Sequence, residues 1–152
     1  SQQQKDSIGR VMNTNETDPL MGSRSFGWWA LLCWLSLGVA LEALHGFKIG
    51  WYLDVGSEGR RLQLTLAHSH GVLLALINII FAMSLKGCTD TALLAKAAKL
   101  LKWAGILMPV GFLGGGLMSM GQDPGFAIVL VPVGGLLLFA GVLFAARATA
   151  SK

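Results

Sequence analysis

The sequence predicts an all-α membrane protein, a four-helix antiparallel transmembrane bundle, and three observations carry that prediction. Of its 152 residues, 53% are hydrophobic and 13% are charged, a charged share about half that of an average soluble domain. The charges are segregated, which leaves apolar runs near the ~20 residues a helix needs to cross a bilayer. Those runs lack the alternation of a membrane barrel strand. Backbone groups in lipid must be satisfied internally, so the runs read as helices.

Residues 1–25 are rich in Gln, Asn, Thr, Ser and Gly and read as a polar N-terminal tail. No apolar stretch follows an early basic cluster, so the tail does not read as a signal peptide. It has no core of its own and is expected to be ordered against a partner surface. The first span, about 26–47, opens on Trp28 and Trp29, whose rings suit the headgroup region. Residues 46–61 form a loop in which Trp51 and Tyr52 read as the opposite aromatic belt. The second span, about 62–85, carries Asn78 deep inside it, where a helix–helix hydrogen bond is the expected role.

Lys86-Gly87-Cys88 breaks that span, and Thr89 or Asp90 suits the cap of a new helix. This helix is expected to run from Thr91 through the third span, about 100–120. Lys96, Lys99 and Lys102 can snorkel to headgroups beside Trp103. Gly121-Gln122-Asp123-Pro124-Gly125 is a turn by composition. The fourth span covers about 126–146. Residues 26–147 thus form one membrane domain, with 148–152 as a short C-terminal tail. Pro109 and Pro132 are expected to kink their helices.

Basic residues set the expected orientation. Lys5, Arg10, Arg24, Lys86, Lys96, Lys99, Lys102, Arg147 and Lys152 make nine on one side, against three (Lys48, Arg60, Arg61) on the other. The positive-inside rule then puts both termini in the cytoplasm, with a bacterial inner membrane as the expected setting. The net charge of +4 flanks apolar spans and forms no patch with aromatics, so nucleic acid is not an expected partner. Cys33 and Cys88 have no metal-type or redox spacing and read as inert thiols.

Gly111 and Gly115 form a small-xxx-small pattern in the third span. Pro132-Val133-Gly134-Gly135 and Gly141 lie in the fourth. Such faces let helix backbones approach closely, and packing of the third span on the fourth is expected. Pro132-Val133-Gly134-Gly135 with Gly141 resembles the fourth-helix signature of the YgdD-type family. Gly105, Gly111 and Gly115 resemble that family's third helix, and His70-Gly71-Val72-Leu73-Leu74-Ala75-Leu76 its second. The family's first helix ends in a Gly-Ala-Phe-Gly-Ala-His run, against which Glu42 and His45 fall out of register. The resemblance implies a small four-helix membrane protein and no known activity.

Four ionisable residues lie inside or at the edge of apolar runs, Glu42, His45, His68 and His70, where such groups are costly and often functional. Glu42 and His45 share a helix face, in the Glu-x-x-His spacing that di-metal bundles repeat on two helices. No second copy exists here. His68 and His70 point to nearly opposite sides of one helix, so one of them can join a site with the first helix. Three uses follow. Glu42 can close a clasp with a histidine, Arg60 or Arg61, the use expected first. Glu42, His45 and His68 can supply a carboxylate and two imidazoles to a divalent metal. His45 with His68 or His70 can supply an axial pair to haem.

No nucleophile triad, phosphate loop or carboxylate pair is visible, and the chain reads as non-catalytic. An accessory or assembly subunit of a larger membrane complex is the leading expectation, with bound lipids and other membrane subunits as partners. A metal- or haem-binding redox or sensor protein is the alternative.

Overall fold

The computed structural model describes residues 18–120 and 123–150. The expected partner-ordered tail falls, up to residue 17, outside those described residues. Five α-helices follow in order: α1 (Pro19–Gly46), the short α2 (Gly50–Leu53), α3 (Glu58–Ser84), α4 (Thr91–Leu117) and α5 (Leu130–Ala150). Brief 3₁₀ turns precede α3 (Val55–Ser57) and α5 (Phe126–Val129), and no strand occurs among the described residues. With these turns, four helical segments of 25 to 30 residues are long and apolar enough to cross a membrane. The chain is an all-α four-helix bundle with the features of an integral membrane protein.

The first helix starts inside the expected tail. Asp18 accepts from the Leu20 amide at 2.9 Å, and Pro19 occupies the first helical position. There its missing N–H costs nothing, because the first-turn amides have no helical partner. Asp90 caps α4 likewise, accepting from Leu93 N at 3.0 Å. Lys48, at φ 52°, turns the chain out of α1 and lets Ile49 N reach the Leu44 carbonyl at 3.0 Å.

Packing runs in chain order: α1 lies on α3, α3 on α4, and α4 on α5, with a lighter contact between α1 and α4. The central pair is the more buried. Ala67, Leu74, Ala75 and Asn78 from α3 and Leu101 and Ala104 from α4 are sealed from solvent. Between these two helices, Asn78 Nδ2 donates to Leu74 O at 2.9 Å and to Leu101 O at 3.2 Å. Its Oδ1 is buried with no hydrogen-bond partner.

Glycines sit where α4 and α5 approach. A Cβ on Gly134 would lie 2.8 Å from the Met108 backbone nitrogen, and one on Gly141 2.9 Å from a Leu101 methyl. Gly111 faces Leu130 and Val131, whereas Gly115 faces Gln63 of α3 and Ile128. Gly135 has more room, with Met108 Cε 3.6 Å from a Cβ position. Pro109 is buried inside α4. Pro132 differs from the expected mid-helix kink. It lies in the first turn of α5, where no hydrogen bond is lost to it.

Candidate functional site

Where α1 and α3 cross, two rings interlock. The His68 ring of α3 lies over Gly38 of α1, close enough that a Cβ there would overlap it. The Trp34 ring of α1 lies over Gly71 of α3 in the same way. Each aromatic ring fills the space left by the other helix's missing side chain. His68 Nδ1 is 2.7 Å from the Trp34 carbonyl oxygen. A carbonyl can only accept, so Nδ1 carries the hydrogen and, in the neutral ring, Nε2 keeps its lone pair.

His70 turns away from this crossing. Its Nδ1 donates to Leu66 O at 3.0 Å within α3, and its ring meets Phe112 of α4 at a 4.9 Å centroid distance. The residue therefore belongs to the α3–α4 contact. His45 and His68 do line one space, a lateral pocket of about 560 Å³ beside the end of α1. Glu42, Tyr52 and Thr65 share its wall, with Leu35 and Val39 as an apolar side.

The expected clasp is not formed. Glu42 is exposed, and no hydrogen bond or ion pair to it occurs among the described residues. Its proposed arginine partners are occupied by the short connection after α1. Arg61 Nη1 donates to Leu53 O at 2.8 Å and reaches Tyr52 O at 3.4 Å, closing the C-terminus of α2. Arg60 Nη1 donates to Trp51 O at 2.8 Å, its guanidinium stacks over the Trp51 ring at 4.6 Å, and Nη2 reaches Ser119 O at 3.4 Å beyond α4. Free carbonyls at a helix end lie within reach of both guanidinium groups, and the carboxylate does not.

Among the described residues, no three His, Cys, Asp or Glu side chains are grouped to hold an ion. Glu42, His45 and His68 line one pocket without forming such a group. The haem pair drawn from His45 and His70 is divided, since His70 faces α4. Tyr52, expected in an interfacial belt, is instead buried with Leu41 and Leu64, while Trp51 stays half exposed. Gly38, Trp34 and Thr65 were not singled out by sequence, and Gly71 only within the run from His70 to Leu76. A glycine one turn from a tryptophan, or three residues after a histidine, signals an interlock only once the helix register is known.

The fold and this crossing define a four-helix integral membrane protein with a lateral, partly polar pocket at one end of its first helix pair. Compared with family models, curated protein sequences and solved structures, the chain matches none.

Proposed function

We propose that this is a non-catalytic membrane protein that serves as an accessory or assembly subunit of a larger membrane complex. One contrast supports the reading. The outward face of α5 is tiled with bulky apolar side chains, Leu136, Phe139 and Leu143, which suit lipid chains. The side of α1 turned from α3 carries Cys33, Ser36, Ala40 and Ala43, all exposed. Their spacing of three, four and three puts them on one stripe. Ser36 Oγ donates to its own helix at Leu32 O, 2.8 Å away, which leaves the stripe smooth between the exposed Trp29 before it and Phe47 after it.

Small exposed residues let a second membrane helix approach closely, whereas against lipid they forgo contact area. Lipid covers α5, and another subunit covers α1. Extraction in a gentle detergent followed by native electrophoresis tests this. The protein should migrate with partners in a species larger than its own monomer, and a monodisperse monomer would defeat the reading. The expected orientation, with both termini in the cytoplasm of a bacterial cell, belongs to the same proposal and rests on the basic asymmetry. Kinship with the YgdD-type family is proposed on the glycine and proline motifs and brings no activity with it.

A further inference from the structure

The lateral pocket between α1 and α3 presents a specific set of hydrogen-bonding groups. Two of them are acceptors. His68 Nε2 is left with its lone pair once Nδ1–H is held by the Trp34 carbonyl, and Glu42 brings an exposed carboxylate with no partner among the described residues. The Tyr52 hydroxyl, on a side chain only 6% exposed, has no hydrogen bond among the described residues, and neither has that of Thr65. Thr65 is exposed, and each of these hydroxyls is free to donate one hydrogen bond to a ligand in the pocket.

Depth adds a constraint. Glu42 lies four residues before the end of α1 at Gly46, about 6 Å along the axis at the α-helical rise. With the first span taken as about 26–47, that is near the boundary between headgroups and acyl chains. Leu35 and Val39 continue the pocket wall from Glu42 toward the middle of the span. A volume of about 560 Å³ falls in the usual range for small-molecule pockets, roughly 300–1,000 Å³.

We propose that this pocket binds the headgroup of a membrane phospholipid bearing a primary ammonium, as in phosphatidylethanolamine. The ammonium donates to the Glu42 carboxylate and to His68 Nε2. The phosphate accepts from the Tyr52 and Thr65 hydroxyls, beside His45. The upper part of the acyl chains lies along Leu35 and Val39. A quaternary ammonium carries the charge but no N–H, so it leaves the His68 lone pair and one face of the carboxylate unmatched. This site is independent of the small-residue stripe on the far side of α1.

The test uses the full chain in nanodiscs of equimolar phosphatidylethanolamine and phosphatidylcholine with matched acyl chains, and native mass spectrometry reads the lipid retained. Phosphatidylethanolamine should be retained in preference by roughly tenfold, the size expected of one charge-assisted hydrogen bond. Stepwise N-methylation of the headgroup should erode the preference as donors are removed. Glu42→Gln, at an exposed site with no internal partner, should fold normally and bring retention near parity. Equal retention of the two lipids by the native chain, preference for an anionic headgroup, or an undiminished preference in Glu42→Gln would each overturn the proposal.

Discussion

Trp34 and His68 hold the first helix pair together by exchanging places: each ring sits over a glycine of the opposite helix, and the His68 Nδ1–H donates to the Trp34 carbonyl at 2.7 Å. Three interactions thus meet within one turn of each helix. In lipid there is no hydrophobic drive between apolar helices, so close packing and such hydrogen bonds carry the association.

Gly71→Ala and Gly38→Ala should each destabilise the protein, because the added methyl would collide with the Trp34 or His68 ring. Overpacking of this kind costs about 1–3 kcal/mol. A thermal melt in detergent checks it. An unchanged midpoint for both variants would show that the rings move aside freely.

The neighbouring glycines of α5 offer an internal control. Gly134→Ala should force α4 and α5 apart, since the new Cβ would meet Met108 backbone at 2.8 Å. Gly135→Ala, whose nearest neighbour is a flexible Met108 methyl at 3.6 Å, should be neutral or slightly stabilising. Equal melting points for the two variants would contradict this packing.

The glycine motifs were visible in the sequence, but which glycine faces a backbone was not. That depends on the rotation of each helix, and adjacent glycines such as Gly134 and Gly135 differ only in rotation. The four spans were legible for a simple reason: long apolar runs between charges leave few alternatives to helices. The start of α1 was less legible, because Asp18-Pro19 lies among polar residues and the first turns carry Gly22, Ser23, Arg24 and Ser25. The site was legible only in part. Glu-x-x-His spacing brought Glu42 and His45 to notice, but spacing along one helix says nothing of where Arg60 and Arg61 spend their donors. Two carbonyl-rich turns at the end of α2 decide that.

Asn78 provides a sharper electrostatic test. Asn78→Asp would put a carboxylate where two carbonyls, Leu74 O and Leu101 O, now accept from an amide. Loss of folded protein or a large drop in melting temperature is expected. Asn78→Leu should be milder, since single hydrogen bonds between membrane helices average about 0.6 kcal/mol. If the aspartate variant melts no lower than the leucine variant, the amide does not bridge α3 and α4.

Orientation can be read at Val55, which is 84% exposed in the connection before α3. In a chain carrying Val55→Cys, with Cys33 and Cys88 replaced by Ser, an impermeant thiol reagent should label intact cells. Protection in intact cells with labelling only after lysis would reverse the assignment.

The exposed small-residue side of α1 carries the proposed assembly role, and one comparison tests it. Native electrophoresis of gently extracted protein is run for the unaltered chain, for Ala40→Trp on that stripe, and for Leu136→Trp on the outward face of α5, where the native side chain is already 73% exposed. The unaltered chain and Leu136→Trp should migrate in the same large species, and Ala40→Trp should fall to the monomer. An unaltered chain that is monomeric, or an Ala40→Trp variant that stays in the complex, would contradict it.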